Sequence, residues 1–217
     1  DLMVRATGTV VTELNAVFVS DWYSETDDLL LDETPAALEH TAGPMYAQVV
    51  PSGPGFETEN NLRLFNHLIY NANHRVVISS PYFVPDESLL HAITTEAQAG
   101  VRVQLFVGET SDQFLAQHAQ NSYYSELARA GVEIYRYSSP TVLHAKFVLV
   151  DDIVSVIGSS NMDERSFALD LEVSVLIVDE PFRTRMEDVV EQFQANSTLL
   201  DLEAWEKRSL GRKFVEN

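Results

Sequence analysis

A histidine and a lysine stand two residues apart in a stretch that is otherwise apolar, His144-Ala145-Lys146-Phe147-Val148-Leu149-Val150-Asp151. Alternate residues of a β-strand point to the same face, so the spacing predicts that His144 and Lys146 project together from a buried strand. A histidine can attack phosphorus or protonate a leaving oxygen. A lysine can balance the negative charge that builds on phosphate oxygens. The pair therefore predicts phosphoryl chemistry that needs no cofactor, and the lysine disfavours a metal ion beside the histidine.

A glycine-led segment, Gly158-Ser159-Ser160-Asn161, begins seven positions after Asp151. The sequence predicts a tight turn there, where Ser159 and Asn161 can add neutral hydrogen-bond donors to the same phosphate oxygens. Asp151 falls between two predicted strands, 144–150 and 153–157, and we expect it to hold their hairpin turn through bonds to the backbone. A lone histidine on a strand is more often an ordinary core or edge residue. Here, however, four polar residue types occur at a fixed spacing within an apolar stretch, which makes an ordinary core or edge role for His144 less favoured.

The surrounding sequence predicts elements that alternate between strand and helix. After a helix at 9–23 and a strand near 45–50, helices at 58–73, 86–99 and 113–130 alternate with strands at 75–80, 101–107 and 132–137. The hairpin, a strand at 171–178 and a helix at 181–196 follow. This order predicts an α/β fold with a mixed, largely parallel central sheet sandwiched by helices. We expect residues 1–43 to hold the end of a preceding unit and an acidic linker, and residues 44–217 to form the catalytic domain.

Charge and composition narrow the range of functions. The formal net charge of -19 repels nucleic acid and anionic headgroups at long range, so an anionic substrate must be held by a local cluster. The chain has no cysteine, which excludes disulfides and thiolate metal sites. Its apolar runs are shorter than the ~18 residues that a membrane-spanning helix needs.

The pattern HxKxxxxD followed by GSxN resembles the signature of the phospholipase D superfamily. Three further segments are similar to bacterial cardiolipin synthases: Pro81–Asp86, Ser122–Leu127 and the run from Met162 to Val173. Residues 1–23 resemble the segment that closes the first half of such enzymes, so the chain is similar to their C-terminal half. The family usually has two HxKxxxxD motifs that face each other, whereas this sequence has one.

The resemblance implies phosphatidyl transfer between two molecules of phosphatidylglycerol, giving cardiolipin and glycerol through a phosphohistidine. His144 would be one of two catalytic histidines, as nucleophile or as general acid and base. Lys146, Ser159 and Asn161 would bind phosphate. Glu172 would hydrogen-bond the motif histidine and fix its orientation, and Gly158 and Asp151 would be structural. The expected partners are an anionic phospholipid and either a missing N-terminal half or a second copy of the chain. The parent protein would lie at the bacterial cytoplasmic membrane, with this chain soluble.

Two alternatives remain open at this stage. One is a phospholipase D-type hydrolase, lipase or nuclease, that works as a homodimer, although the acidic charge disfavours nucleic acid as a partner. The other is a catalytically silent half that binds lipid or a protein partner. Weaker candidates for the substrate pocket are Tyr82, Ser111 and Asp112, which follow predicted strands, and Arg165, which could instead cap a short helix.

Overall fold

The computed structural model describes residues 1–30, 43, 45–56, 58–110 and 114–208. Its helices are α1 Thr9–Thr26, α2 Asn60–Tyr70, α3 Glu87–Ala99, α4 Phe114–Ala130, α5 Glu164–Ala168, α6 Glu180–Ala195 and α7 Leu202–Glu206. Its strands are β1 Tyr46–Ser52, β2 Arg75–Ser79, β3 Phe83–Val84, β4 Arg102–Gly108, β5 Glu133–Tyr137, β6 Phe147–Val150, β7 Val154–Gly158, β8 Met162–Asp163, β9 Glu172–Val178 and β10 Ser197–Leu199. None of the helices in these ranges has the length and apolar composition needed to cross a membrane.

Eight strands form one sheet in the order β1-β9-β7-β6-β2-β4-β5-β10, and β3 pairs separately with β8. The expected mixed α/β class with flanking helices is confirmed. The expectation that the large sheet is mainly parallel is wrong, because only the β2–β4 and β4–β5 pairs run parallel among its described strands. Parallel neighbours need a long crossover, and α3 and α4 supply the two crossovers here. After β5 the chain adds β6, β7 and β9, and both the β6–β7 and the β7–β9 pairs are antiparallel.

Two apolar clusters lie on the two faces of this sheet. Alternate residues of β2 separate them, since Val76 and Ile78 belong to the first cluster and Val77 belongs to the second. The first cluster is covered by α2, α3, α4, α5 and α7, which contribute residues such as Phe65 and Leu127. The second cluster is covered by α6 through Met186 and Val190. Because β2 is buried on both faces, the period-two alternation of its side chains sorts the core into two layers.

Capping residues fix the helices that cover the sheet. Asp86 accepts hydrogen bonds from the backbone N–H groups of Ser88 and Leu89 at the start of α3. Gly100 ends that helix in the left-handed conformation that glycine adopts without strain. At α6 the carboxylate of Asp179 accepts from Phe182 N. These bonds satisfy N–H groups that have no partner inside the helix.

Asp151 anchors the hairpin to the start of β2. Its carboxylate accepts hydrogen bonds from the backbone N–H groups of Asn73, His74 and Arg75, at 3.0 Å for the shortest bond of each. These donors belong to another segment, so the expectation that Asp151 holds its own turn is corrected. Its φ of 49° places it at the bend between β6 and β7. The bonds from Asn73, His74 and Arg75 outweigh the effect of burial and lower the pKa of Asp151 to about 2.

We expect Asp151→Asn to lower the free energy of unfolding by about 2 kcal/mol at pH 7, because three N–H donors lose a charged acceptor. The folded pKa lies below the value of about 3.9 expected in the unfolded chain, so the stabilisation is present above pH ~4 and is lost as the pH falls towards 2. Urea unfolding at pH 7 and pH 3 measures the difference. Asp152→Asn is the matched control, since the Asp152 side chain is 86% exposed. An Asp151 variant as stable as this control at pH 7 would contradict the assignment.

Candidate active site

His144 and Lys146 lie in an extended segment immediately before β6. Leu143 and Ala145 point into the second cluster, while the His144 side chain is 56% exposed and Lys146 is half-buried. The Nζ of Lys146 lies 3.2 Å from Nε2 of His144, so the two side chains project to the same side, as the spacing predicts. The expectation that both lie on a buried strand is wrong. The strand begins at Phe147, and the Ala145 carbonyl accepts from the Ser79 hydroxyl instead of a ladder N–H.

The partners of His144 indicate which ring nitrogen carries the proton. Its Nδ1 lies 3.2 Å from the Asp1 carboxylate, and its Nε2 faces the Lys146 ammonium. A carboxylate only accepts and an ammonium only donates, so we assign the proton to Nδ1 and the lone pair to Nε2. Lys146 also donates to the carbonyl of His144 at 3.0 Å, which fixes its position. An imidazole in this form can attack an electrophilic phosphorus through Nε2.

Lys146 lines a small, partly open cavity of about 10 Å³, roughly the space of one water molecule, on the side of the sheet that faces the first cluster. The other lining residues are Phe65, Phe147, Val148, Val156, Gly158, Ser160, Met162 and Ser174. Burial lowers the pKa of Lys146, while the carboxylates of Glu172 and Asp163 act in the opposite direction. A partly desolvated ammonium interacts more strongly with an anion than it would in bulk water. The cavity thus combines one positive charge with small polar and apolar walls.

Gly158 allows β7 to approach β9 closely. A Cβ at this position would stand 2.4 Å from the Ser174 hydroxyl oxygen and 2.5 Å from the Val173 carbonyl oxygen. Since side chains do not tolerate such contacts, the position requires glycine. The Gly158 N–H donates to the Lys146 carbonyl at 3.4 Å, so this close packing also ties the turn to the lysine segment.

The turn after Gly158 places its polar side chains in different environments. The Ser159 hydroxyl accepts from Val173 N at 3.0 Å, so it is tied to β9. Asn161 donates to the Ser166 hydroxyl at 3.3 Å, and its Oδ1 is buried without a hydrogen-bond partner. The cavity lining includes Ser160, which the sequence reasoning did not single out. Phosphate binding by Ser159 and Asn161 remains a prediction.

Glu172 begins β9 and is buried, with 8% of its surface exposed. Burial raises the pKa of its carboxyl, and side-chain hydrogen bonds with Ser159 and Ser166 act in the opposite direction. Lys146 also favours its charged form. Glu172 is therefore linked to the lysine of the pair, and its role in orienting a histidine stays a prediction.

Two of the four weaker candidates lie within the described residues. Tyr82 directly precedes β3, which pairs with β8, the short strand that follows the turn at residues 158–161. Arg165 lies in the short helix α5, is 78% exposed and pairs with Asp170 at 3.1 Å. Ser111 and Asp112 lie outside the described residues. A pocket role for any of these four side chains is a prediction.

Asp1 is the residue that sequence reasoning missed. It contacts His144, and the neighbouring Leu2 packs against the second cluster, which holds the segment beside the site. Asp1 stands seven positions before Gly8, the N-cap of α1, and Glu172 stands seven positions before Asp179, the N-cap of α6. The two carboxylates therefore occupy equivalent positions ahead of two helices.

Comparison with solved structures identifies the fold. The phosphatidylserine synthase of Haemophilus influenzae Rd KW20 superposes with a TM-score of 0.68 at 17% identity, over 99% of this chain and 52% of that chain. The phospholipase D family member Nuc from Salmonella typhimurium gives a TM-score of 0.61 at 18% identity, over 72% of this chain and 98% of that one. At these identities the likeness concerns the fold alone, which is that of phospholipase D.

Comparison with sequences identifies the family. The sequence pattern of the family described as "Cardiolipin synthase, PLD-like domain" matches residues 65–195. The cardiolipin synthase A of Yersinia pseudotuberculosis serotype O:1b (strain IP 31758) is 38% identical over the whole of this chain. The match spans 45% of that relative, so this chain covers about half of its length. The chain belongs to the cardiolipin synthase family with a phospholipase D-like domain.

Proposed function

We propose that this chain forms one half of a two-motif site that transfers a phosphatidyl group between two phosphatidylglycerol molecules. The observation that carries the proposal is the pair His144–Lys146, with 3.2 Å between Nε2 and Nζ, beside a cavity that Lys146 lines. The family supports the substrate class, and the spacing of Asp1 and Glu172 supports a second, similar half.

In the first step a histidine Nε2 attacks the phosphorus of one phosphatidylglycerol. A P–N bond forms, the P–O bond to the headgroup glycerol breaks, and the glycerol oxygen takes a proton from an acid. In the second step a headgroup hydroxyl of another phosphatidylglycerol gives up its proton and attacks phosphorus, the P–N bond breaks, and cardiolipin is formed. Two histidines share these roles, and His144 is one of them.

The remaining side chains act on charge and orientation. Lys146 stabilises the oxygens of the five-coordinate phosphorus, where negative charge increases in the transition state. Asp1 accepts the Nδ1 proton of His144 in a hydrogen bond and so keeps the lone pair on Nε2, which attacks phosphorus once the Lys146 ammonium turns to the phosphate oxygens. Asn161 through its amide N–H groups, which lie near Ser166, and Ser159 through its hydroxyl supply neutral hydrogen-bond donors to the phosphate oxygens. By the equivalence of Asp1 and Glu172, Glu172 orients the histidine of the other half.

The test is an assay of the purified full-length gene product on vesicles of phosphatidylglycerol, with lipid products separated by mass and glycerol measured by an enzymatic assay. We expect cardiolipin and free glycerol in equal amounts. If phosphatidic acid and glycerol form without cardiolipin, the protein is a hydrolase and the proposed transfer between lipids is wrong. Absence of any product, with vesicle binding retained, would favour the catalytically silent alternative.

A further inference from the structure

We infer that the cavity beside Lys146 binds one water molecule between the hydroxyls of Ser160 and Ser174, and that this water holds the Lys146 ammonium in place for the phosphate. Ser160 and Ser174 are then positioning residues, which act on the substrate through Lys146, and this role rests on the proposed function. The sequence motif contains neither role, because Ser160 is its variable position and Ser174 lies outside it.

The cavity has the size and the polar walls that a single water requires. Its volume of about 10 Å³ is near the minimum that holds one water. Both serines line it and are buried, with 3% of Ser160 and 1% of Ser174 exposed. A buried water typically makes about three hydrogen bonds. The two hydroxyls and the Lys146 ammonium supply that number of partners.

Gly158 separates the lysine segment from Ser174. It is the register partner of Ser174 in the β7–β9 pair, and its N–H donates to the Lys146 carbonyl at 3.4 Å. A Cβ at Gly158 would lie 2.4 Å from Ser174 Oγ, so this hydroxyl leans over the glycine into space that a side chain would otherwise fill. The glycine therefore opens the cavity between Lys146 and Ser174.

The hydrogen-bonding groups around the cavity match a water molecule. An ammonium has three N–H donors, and those of Lys146 face the His144 carbonyl at 3.0 Å and Nε2 of His144 at 3.2 Å, which leaves a third donor. The Ser160 hydroxyl donates to the Asn161 carbonyl at 3.2 Å, so its oxygen is able to accept. A water that accepts from Lys146 and donates to Ser160 satisfies both groups, and the Ser174 hydroxyl completes its shell.

The charged groups around Lys146 show what the water adds. Burial lowers the pKa of Lys146, and the carboxylates of Glu172 in β9 and Asp163 in β8 act in the opposite direction. His144, just before β6, is the titratable group that contacts the ammonium. A water that accepts from the ammonium favours its charged form. Lys146 then stays charged and held from the cavity side when it turns from His144 to the phosphate.

Nuclear magnetic resonance of the 217-residue chain, labelled with ¹³C at the lysine ε-carbons, tests this site. The chain has three lysines, Lys146, Lys207 and Lys213, so Lys146→Arg assigns the signal of interest. The pH at which that signal titrates is measured in each variant.

Two substitutions at Ser174 separate the water from the hydroxyl. Ser174→Val removes the hydroxyl and fills the cavity with a methyl group, whereas Ser174→Ala removes the hydroxyl and leaves room for the water. Ser155→Val is the matched control, because Ser155 is another fully buried serine of the sheet. Its register partner Leu149 belongs to the second cluster, so Ser155 lies on the opposite face from the cavity.

We expect Lys146 to titrate at a lower pH in Ser174→Val than in the wild type, because its ammonium loses an acceptor. In Ser174→Ala the titration should lie closer to that of the wild type, and in Ser155→Val it should be unchanged. A wild-type titration in Ser174→Val would overturn the inference. An equal lowering in Ser174→Ala and Ser174→Val would mean that the hydroxyl acts without a water, and would also overturn it.

The rate of cardiolipin formation by the full-length gene product tests the positioning role. Ser174→Val should lower kcat by about ten-fold and leave KM for phosphatidylglycerol nearly unchanged, because Lys146 acts mainly on the charge of the transition state. Ser155→Val should keep both values. A wild-type kcat in Ser174→Val would remove the positioning role. Because the titration needs no turnover, it decides the water site even if the protein forms no cardiolipin.

Discussion

Replacing His144 by alanine is expected to reduce cardiolipin formation by the full-length gene product by about 10⁴-fold or more. Removal of either the nucleophile or the acid blocks the first step, so the loss is large whichever of the two roles His144 has. Folding should be little affected, because the His144 side chain is 56% exposed. The measurement is the initial rate of cardiolipin formation from phosphatidylglycerol vesicles.

His91→Ala is the control for this variant. His91 is 60% exposed, on the surface of α3, and has no motif around it. It should retain the wild-type rate. A His144→Ala protein that forms cardiolipin at the wild-type rate would remove His144 from the mechanism and, with it, the proposed function of the pair.

Asp1→Asn is expected to reduce the rate by about 10³-fold. An amide can donate to Nδ1 of His144, which would favour the tautomer with the proton on Nε2 and remove the lone pair that faces Lys146. The geometry of the site changes little, because asparagine has the same shape as aspartate. Steady-state rates over a range of pH separate this effect from a structural one, since only a change of tautomer or charge at His144 alters the pH profile.

Asp1→Glu supplies a rescue variant, because the equivalent position in the second segment is Glu172. It should recover most of the rate that Asp1→Asn loses. Asp28→Asn, on an exposed residue after α1, should have no effect. If Asp1→Asn keeps the wild-type rate and pH profile, Asp1 does not orient the histidine.

The secondary structure was largely predictable because apolar periodicity and capping residues agree in most segments. Asp86 and Gly100 bound α3 as the sequence predicts, and Gly131 follows the end of α4. The short strands β3 and β8 were not predicted. Each contains two residues, so neither has enough length for a periodic pattern to show.

The direction of the strands was harder to predict from the sequence. Alternation of strand and helix up to β5 predicts parallel neighbours, and the β2–β4–β5 region has them. The position of β6 beside β2 depends on contacts between residues about 70 positions apart, such as Val77 with Leu149. Local patterns contain no information on such pairs, so the sequence analysis underestimated how many strand pairs are antiparallel.

The chemistry of the site was predictable where residues are close in sequence. The two-residue spacing of His144 and Lys146 was sufficient to predict that they project together. Asp1 lies 143 positions from His144, and its segment shares only two identical residues with the segment after Glu172. Its contribution became visible only when the fold brought it to Nδ1. Asp151 shows the same limit, because the backbone N–H groups that donate to its carboxylate belong to residues 73–75, far away in the sequence.

Rapid-quench analysis of the full-length protein with phosphatidylglycerol labelled with ³²P at phosphorus tests the central claim most directly. In the wild-type protein we predict a burst of glycerol release, stoichiometric with enzyme, and a matching amount of label bound to a histidine through an acid-labile P–N bond. In His144→Ala both the burst and its turnover should be lost. A burst of normal size and rate in His144→Ala, with label that turns over normally, would contradict the account that His144 and Lys146 act on the phosphodiester.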